Sequence, residues 1–217
     1  MNTSIIVCDF DGTITKVDSI NDFLERFADK EWLKVEDEWV AGRVGTCDAM
    51  RLQFGMIRGM TQEKFDNFFE SVEIDLSFKV FYERAKAKGI KVVIVSDGFE
   101  YFVKRVLNKY GIDDIEIYSN SFEFKNGEFL MDFPNKVDGC ARNAGTCKCK
   151  FVEKFKQLYD FVFYVGDGAS DFCVADKVDF LFAKKRLSEY CKKNNILFTE
   201  YIDFNEVMNN DRLRLNN

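Results

Sequence analysis

The stretch IIVCDFDGTIT, from Ile5 to Thr15, places two aspartates one residue apart directly behind an apolar run. Asp9 follows a predicted buried strand, and Gly12 permits a sharp exit of the chain from that strand. Two carboxylates this close repel each other and lose hydration wherever water is scarce. Either they lie on a solvated turn or a cation lies between them, and the rest of the chain has to distinguish these possibilities.

The composition is that of a globular protein with an acidic balance. Of the 217 residues, 47% are hydrophobic and 24 are phenylalanine, so the chain can bury a sizeable core. The net charge of -6 argues against a nucleic-acid partner. No apolar run approaches the ~20 residues that cross a bilayer and no signal peptide is recognisable, so no membrane partner is expected. Seven cysteines, an odd number, fit reduced thiols and a cytoplasmic location.

The chain contains no histidine. This excludes Ser-His-Asp and Cys-His hydrolases, histidine phosphatases and His-ligated metal sites. No cysteine is followed six residues later by arginine, as a thiol-based phosphatase loop requires, and no P-loop sequence occurs. Chemistry therefore has to use carboxylates, lysines, hydroxyls, thiols and backbone groups.

Alternating strand and helix patterns predict an α/β fold with a doubly wound, Rossmann-like parallel sheet. The apolar runs typical of buried parallel strands are Ser4 to Cys8, Lys91 to Val95, Phe161 to Val165 and, more weakly, Val178 to Ala183. An amphipathic helix, LSFKVFYERAKAKG, precedes the second strand. Ligands of such sheets bind at the carboxyl ends of the strands, where the acidic turns of this chain lie.

Two segments depart from the alternation. Residues 16–75 hold helical patterns and no convincing strand, so we expect a helical cap domain inserted after the first strand. Residues 1–15 and 76–217 would then form the core domain. In IYSNSFEFKNGEFLMDFP, the pair Asn126-Gly127 between alternating segments predicts a hairpin that Pro134 closes.

The spacing of Asp9 and Asp11 suits phosphoryl transfer. In this interpretation Asp9 attacks phosphorus, and Asp11 first protonates the leaving oxygen and then deprotonates water. A carboxylate that attacks a phosphate dianion needs a divalent cation to offset the repulsion, and Mg²⁺ prefers oxygen ligands. The alternative is a turn whose aspartates cap the next helix.

A second acidic turn, GDGASD, supplies further oxygen ligands. Asp167 follows the third strand, and Asp171 is predicted to begin the next helix. With Asp9 and the carbonyl of Asp11, these carboxylates would complete an oxygen-rich metal site. The alternative is again a turn with an aspartate as helix N-cap.

The third turn and a lysine offer phosphate contacts. In VSDGF, the hydroxyl of Ser96 and the N–H groups of Asp97 and Gly98, at a predicted helix start, would hold phosphate oxygens. In CKCKFVEKF, Lys150 starts a helix and would neutralise charge that develops on phosphate, with Lys148 as its close competitor. A plain serine N-cap and a solvated lysine would carry no such function.

In this order, DFDGTIT, VSDGF, a helix-starting lysine and GDGASD resemble the motifs of the haloacid dehalogenase superfamily of aspartate-nucleophile phosphatases, over roughly Ile5 to Lys184. The insertion is similar to the cap of its phosphoserine-phosphatase-like branch. The resemblance implies a Mg²⁺-dependent hydrolase that cleaves a small-molecule phosphate ester through an aspartyl-phosphate. The implied residues are the nucleophile Asp9, the acid/base Asp11, the phosphate ligands Ser96, Asp97, Gly98 and Lys150, the Mg²⁺ ligands Asp9, Asp11 and Asp167, and the supporting residues Asp171 and Thr13.

Two substrate classes stay open within this branch. Phosphoserine phosphatases have SGGF where this chain has SDGF, and their cap glutamate and arginine positions fall on Asp18 and near Gln53. The hairpin, the proline and GCARNAGTCKCK are instead similar to methionine-salvage methylthiopentenyl phosphate phosphatases and phosphocholine/phosphoethanolamine-type phosphatases, which we favour. The substrate contacts expected in the cap are Asp18, Asp22, Arg51 and Arg58.

The sequence leaves three questions open: whether the chain is catalytic, whether it is a monomer or a homodimer, and in which state its thiols are. A non-catalytic module or a phosphotransferase of the same fold would share most motifs, and a monomer or a homodimer is equally compatible with the sequence. Cys140, Cys147 and Cys149 could bind zinc, but C-x6-C-x-C is not a standard zinc spacing, and a reduced loop is favoured. A disulfide from Cys140 to Cys147 or Cys149 under oxidising conditions stays open.

Overall fold

A computed structural model describes residues 3–125, 128–213 and 215, and the strands among them form one seven-stranded sheet. The strands are β1 Ser4–Cys8, β2 Lys91–Phe99, β3 Glu116–Lys125, β4 Glu128–Asp132, β5 Phe161–Gly166, β6 Phe180–Ala183 and β7 Thr199–Glu200. Their order is β4-β3-β2-β1-β5-β6-β7, and every neighbouring pair is parallel except β3 with β4. The predicted α/β fold with a doubly wound sheet is confirmed.

Strand β1 lies at the centre of the sheet and is buried on both faces. Ile6 and Cys8 belong to one apolar cluster, whereas Ile5 and Val7 belong to the cluster on the opposite face. Side chains alternate along a strand, so a strand covered on both sides needs a continuous apolar run. This burial fixes where β1 ends and therefore where the aspartates that follow it lie.

Helices cover both faces of the sheet. They are α1 Ser19–Phe27, α2 Trp32–Val40, α3 Thr46–Phe54, α4 Gln62–Ser71, α5 Ser77–Ala87, α6 Glu100–Lys109, α7 Lys148–Leu158, α8 Lys185–Asn194 and α9 Phe204–Met208. In the part of the chain that the structure describes, none of them combines the length and apolarity needed to cross a bilayer.

The insertion, residues 16–75, is described throughout and consists of α1 to α4 without a strand. The side chain of Asp18 accepts a hydrogen bond from the N–H of Asn21 and caps α1, and Thr61 caps α4 in the same way through Lys64. Helix α1 ends at Phe27, with Ala28 in extended conformation as its C-cap, so α1 and α2 are separate helices. The division of the chain into cap and core domains stays a prediction.

A cluster of phenylalanines joins the insertion to the sheet. Phe23 of α1 packs against Phe68 of α4, with ring centroids 5.0 Å apart. Phe65 of α4 stacks on Phe122 and Phe124 of β3 at 5.4 and 5.5 Å. All these rings belong to, or pack against, the apolar cluster that continues into β1 and β2. The insertion is therefore held over the sheet by shared apolar burial.

Strand β2 is longer than the sequence pattern predicted. It continues through Ser96 and Gly98 to Phe99, with a register shift between Val95 and Phe99, and α6 begins only at Glu100. The expected helix start at this motif is therefore wrong. Phe99 is fully buried and pairs with a residue of β3, which keeps the segment in the sheet.

Two further turns can be compared with expectation. The strands β3 and β4 pair antiparallel with Lys125 opposite Glu128, as a hairpin requires, while Asn126 and Gly127 lie outside the described residues. The helix expected to begin at Asp171 is instead a single 3-10 turn, Ala169–Asp171, followed by further turns. The carboxylate of Asp171 bonds back to the N–H of Gly168 and so stabilises the start of this turn.

We expect Phe65→Ala to lower the free energy of unfolding by about 3–5 kcal/mol, because the substitution empties a fully packed aromatic site. Urea titration followed by circular dichroism measures this loss. Leu197→Ala is the control, since Leu197 is 93% exposed and its truncation should change stability by less than about 0.5 kcal/mol. Equal effects of the two substitutions would contradict the packing described.

Candidate active site

The carboxyl ends of β1, β2 and β5 and the insertion helices enclose a cavity of about 390 Å³. Parallel strands end at the same edge of a sheet, so motifs far apart in sequence meet there. The residues that line the sheet side are Asp9, Asp11, Ser96, Asp97, Gly98, Asp167, Gly168, Ala169, Ser170, Lys185 and Arg186.

Asp9 is held at the end of β1 by one of its oxygens. Its Oδ1 accepts a hydrogen bond of 2.8 Å from the N–H of Phe10 and lies 2.9 Å from Nζ of Lys148. Among the described residues no hydrogen bond reaches Oδ2 of Asp9. The carboxylate is therefore oriented, with one oxygen left for a ligand.

The sequence analysis placed Lys150 at the phosphate, with Lys148 as its competitor, but in the structure it is Lys148 that lies beside Asp9. Helix α7 begins at Lys148, whose Nζ lies 2.6 Å from Asp171 Oδ1 as well as next to Asp9. Lys150 is exposed and pairs with Glu153 at 2.9 Å. Residues two apart on a helix point about 200° from each other, so only one of the two lysines can reach Asp9 and Asp171.

Asp171 is fully buried and uses both oxygens within the protein. Oδ1 accepts hydrogen bonds from Lys148 and from the hydroxyl of Tyr164, at 2.6 Å each. Oδ2 accepts from the N–H groups of Asp167 and Gly168 at 3.0 and 3.1 Å. These four bonds make Asp171 a residue that orients Lys148 and the turn after β5.

Asp167 is oriented by two groups, one of which the sequence analysis missed. The hydroxyl of Thr13 donates to Oδ1 at 3.0 Å, and Nζ of Lys185 lies 3.0 Å from Oδ2 and 2.8 Å from the carbonyl oxygen of Gly12. Lys185 has φ of 49°, in the left-handed region that a lysine rarely adopts. Its position after strand β6, at the carboxyl edge of the sheet, was the available signal.

At two positions a carboxylate oxygen lies so close to the backbone that only glycine fits. A Cβ on Gly12 would lie 2.4 Å from Asp167 Oδ2, and φ at Gly12 is +73°. A Cβ on Gly98 would lie 2.6 Å from Asp11 Oδ2. Both glycines thus let carboxylates of different motifs approach the same small volume. The N–H and hydroxyl of Ser19 donate to Oδ1 of Asp11 from the other side.

The VSDGF segment, at the end of β2, is hydrogen-bonded to the neighbouring strand and to the loop before α7. The hydroxyl oxygen of Ser96, which is buried, accepts a hydrogen bond of 2.9 Å from the N–H of Gly98. The carboxylate of Asp97 accepts from the N–H of Thr146 at 2.8 Å, and its carbonyl oxygen accepts from the side chain of Asn120 at 2.5 Å. These bonds fix the backbone of this segment before any ligand enters.

Carboxylates outnumber cations at the cavity floor. Burial, and next the charge of Asp171, raise the pKa of Asp9 well above its ordinary value despite the opposing effect of Lys148. Burial, followed by Asp171, also raises the pKa of Asp167. Burial, followed by Asp18, raises the pKa of Asp11 to about 7. Such uncompensated carboxylates characterise a site with room for another positive charge.

The donor set fits a divalent cation that prefers oxygen ligands. Asp9, Asp167 and Asp171 each offer an oxygen within 4.8 Å of the others. Because the oxygens of Asp171 are already engaged, Asp9 and Asp167 are the carboxylates available to an ion. Within the described ranges this is the one group of three or more potential ligands, so the zinc alternative at Cys140, Cys147 and Cys149 gains no support.

The insertion side of the cavity differs from the predicted substrate contacts. Of the four residues predicted, Asp18 lines the cavity, whereas the other three do not. Each of those three is held by residues of its own helix or by the adjacent turn, and their placement as substrate contacts is corrected. The pairs are Asp22 with Arg26, Arg51 with Asp48, and Arg58 with the carbonyl oxygens of Gly55 and Ile57.

Residues of α2 and α3 form most of the remaining wall. Gln53 donates to the Glu36 carboxylate at 3.2 Å, and burial raises the pKa of Glu36. The indole N–H of Trp39 donates to the hydroxyl of Thr46 at 2.9 Å. The insertion residues lining the cavity are Asp18, Ile20, Asn21, Glu36, Trp39, Thr46, Ala49, Met50 and Gln53. The helical spacing of the last four was a signal available in the sequence.

Comparison with known proteins identifies a family model that matches most of the chain and relatives that match nearly all of it. The family model described as haloacid dehalogenase-like hydrolase matches residues 6–176. A protein of Bacillus velezensis named 2-hydroxy-3-keto-5-methylthiopentenyl-1-phosphate phosphatase is 30% identical over 208 residues, covering 94% of this chain and 88% of the relative. A Bacillus pumilus protein of the same name is 29% identical over 206 residues, covering 94% and 89%.

Solved structures share the fold. A phosphoserine phosphatase, determined as an analogue of its phospho-aspartyl intermediate, superposes with a TM-score of 0.70 at 22% identity, covering 96% of this chain and 98% of that one. A phosphoserine phosphatase from T. onnurineus superposes with a TM-score of 0.66, also at 22% identity, covering 99% and 95%. At this identity the likeness establishes the fold alone.

The burial of Lys148 predicts a large difference between two neighbouring substitutions. Lys148→Met leaves the buried carboxylates of Asp9 and Asp171 without their cation and should cost about 3–5 kcal/mol in free energy of unfolding. Lys150→Met removes only an exposed ion pair with Glu153 and should leave the urea midpoint of unfolding close to that of the parent. Urea titration of both variants in metal-free buffer decides the point, and a larger loss in the Lys150 variant would overturn the assignment.

Proposed function

The chain belongs to the haloacid dehalogenase-like hydrolase family, and from this premise we propose that it is a Mg²⁺-dependent phosphatase of small-molecule phosphate monoesters. The supporting observation is the arrangement of Asp9, whose Oδ1 is held by Lys148 and a backbone N–H while Oδ2 has no hydrogen-bond partner among the described residues. A carboxylate fixed in this way can present a single oxygen to phosphorus.

In the first step, Oδ2 of Asp9 attacks phosphorus and forms an aspartyl-phosphate. The bond from phosphorus to the ester oxygen breaks, and Asp11 donates a proton to that leaving oxygen. Lys148 and the hydroxyl of Ser96 stabilise the charge that develops on the phosphoryl oxygens. The backbone at Asp97 and Gly98 completes the phosphate contacts.

In the second step, Asp11 accepts a proton from a water molecule that attacks phosphorus. The bond between phosphorus and Asp9 breaks, inorganic phosphate is released, and both carboxylates return to their starting protonation. Asp11 suits both roles because Ser19 holds one of its oxygens while the other approaches the turn at Gly98.

The ion would be held by the carboxylates of Asp9 and Asp167 and by the backbone carbonyl of Asp11. When bound, Mg²⁺ offsets the repulsion between an anionic nucleophile and an anionic phosphate. Thr13 and Lys185 orient Asp167 for this role, and Asp171 orients Lys148.

The cavity favours a compact, partly apolar substrate. Its volume suits a small metabolite, and Ile20, Trp39 and Met50 supply apolar wall. No arginine of the insertion, which is described throughout, lines it, so it lacks the cap arginine expected for the carboxylate of phosphoserine. We therefore propose the phosphate ester named for the Bacillus relatives as first candidate, and phosphoserine as second.

We further propose that residues 16–75 act as a cap domain on a core of residues 1–15 and 76–217. The insertion contributes about half of the cavity lining, and the core contributes all the acidic turns. Such a cap excludes water from the reacting phosphate and determines which leaving group fits.

We expect Asp9→Asn to reduce phosphate release on the order of 10³-fold or more, because an amide cannot form the covalent intermediate. The measurement is a phosphate-release screen over metabolite phosphates with Mg²⁺. It includes the methylthiopentenyl phosphate ester, phosphoserine, phosphocholine and phosphoethanolamine. Asp22→Asn is the matched control, since Asp22 pairs with Arg26 outside the cavity and its loss should leave the rate nearly unchanged.

The screen also separates the candidate functions. Undiminished release by Asp9→Asn, or no release from any ester, would refute the mechanism. Preferential turnover of phosphoserine would refute the substrate preference while leaving the mechanism intact.

We expect Thr13→Val to raise the Mg²⁺ concentration for half-maximal activity about 10-fold or more, with little change at saturating Mg²⁺. The substitution keeps the shape of the side chain but removes the hydrogen bond that orients Asp167, and such outer contacts strongly affect metal affinity. Titration of the EDTA-treated enzyme with Mg²⁺ measures the effect. An unchanged Mg²⁺ requirement would contradict Asp167 as a ligand.

A further inference from the structure

Two thiols lie together directly behind the lysine of the active site. The Sγ of Cys149, in the first turn of α7, donates to the carbonyl oxygen of Cys173 at 3.1 Å. The Sγ of Cys173 lies 3.7 Å from the carbonyl oxygen of Ser170. Both side chains are half-buried, and both thiols are free. The phosphatase mechanism uses neither of them.

Each thiol is attached to an element that positions a catalytic group. Cys149 follows Lys148, the residue that contacts Asp9. Cys173 lies two residues after Asp171, which orients that lysine through its Oδ1. Any covalent link between the two sulfur atoms therefore acts on the lysine and on its orienting carboxylate together.

The surroundings of Cys149 favour its reactive form. The pKa of Cys149 is lowered to about 6. A hydrogen bond with the thiol of Cys173 is the largest cause, and the ammonium of Lys177 lowers the pKa further, whereas burial and the charge of Glu153 oppose the shift. The neighbouring pair, Cys140 and Cys147, behaves differently. The pKa of Cys147 is raised to about 11, chiefly by burial. A thiolate is the nucleophile in thiol oxidation, so the two pairs differ in reactivity.

We propose that Cys149 and Cys173 form a peroxide-sensitive dithiol whose closure to a disulfide switches off the active site. This inference adds a regulated modification site to the proposed function, and only its effect on rate rests on that function. The formation of the bond itself can be measured without any substrate.

The chemistry is a two-electron oxidation by a hydroperoxide. The thiolate of Cys149 attacks one peroxide oxygen, the O–O bond breaks, and the leaving oxygen takes a proton to become water or an alcohol. Cys149 is then a sulfenic acid. The sulfur of Cys173 attacks it, the S–O bond breaks, and the hydroxide leaves as water with the thiol proton of Cys173. A dithiol reductant reverses the reaction by thiol exchange.

The disulfide would shift the start of α7. A disulfide bond is about 2.0 Å long, much shorter than the contact of two hydrogen-bonded thiols. The first turn of α7 and the turn after Asp171 must therefore approach each other. Lys148 directly precedes Cys149 on that turn. Its Nζ lies 2.6 Å from Asp171 and 2.9 Å from Asp9, and such short contacts leave little tolerance for displacement.

The test treats the reduced full-length protein with hydrogen peroxide, removes the oxidant, and compares three readouts. These are the free-thiol count after unfolding, a peptide map for a link between Cys149 and Cys173, and the rate of phosphate release on the ester identified by the screen. We expect loss of two thiols, the mapped link, and a fall in rate on the order of 10²-fold that dithiothreitol restores.

Serine variants provide the matched controls. After peroxide treatment and before any reductant is added, Cys173→Ser should keep most of its rate because it cannot form the disulfide. Cys140→Ser should be inactivated like the parent, since Cys140 belongs to the other pair. Absence of the link between Cys149 and Cys173, or its formation with an unchanged rate, would overturn the proposal. A reduced protein that releases no phosphate from any ester would refute the proposed function, while the peptide map would still decide whether the disulfide forms.

Discussion

The buried ammonium of Lys148 between the carboxylates of Asp9 and Asp171 is the interaction on which the site depends. Burial alone would lower the pKa of this lysine, but Asp171 and Asp9 outweigh it and raise the pKa. Charges so far from water persist only when partners and hydrogen bonds surround them. Tyr164 and the N–H groups after β5 satisfy Asp171, so the lysine is held by a network that also shapes the acidic turn.

Apolar packing holds the insertion helices, residues 16–75, over this network. The phenylalanines of α1 and α4 share a cluster with β3 and with the strands that carry the acidic turns. The insertion therefore cannot be separated from the sheet without exposing a large aromatic surface. Its inward face, from α2 and α3, is mixed in character, with Glu36 and Gln53 paired beside Trp39 and Met50. In the proposed function, phosphate chemistry and leaving-group recognition would thus lie on different parts of the chain.

Most of the fold and the acidic residues of the site could be predicted from the sequence. Continuous apolar runs identified β1, β2 and β5, and the ends of β1 and β5 located Asp9 and Asp167, whereas β2 continues past Ser96 to Phe99. Errors arose where neighbouring residues offered equal local patterns. Lys148 and Lys150 both lie near the start of α7, and only the orientation of that helix against β5 selects between them. Likewise Arg51 lies on α3 but is held by Asp48, away from the cavity.

The sequence by itself determined the chemistry that is possible here. Without histidine, chemistry has to use carboxylates, lysines, hydroxyls, thiols and backbone groups, and the paired aspartates behind a buried strand favour oxygen ligands and a carboxylate nucleophile. Only the tertiary structure decided which lysine contacts Asp9, which insertion residues line the cavity, and that the Sγ of Cys149 lies against the backbone carbonyl of Cys173. The reason is physical: residue type and periodicity are local properties, whereas the direction of a side chain depends on how whole elements pack against one another.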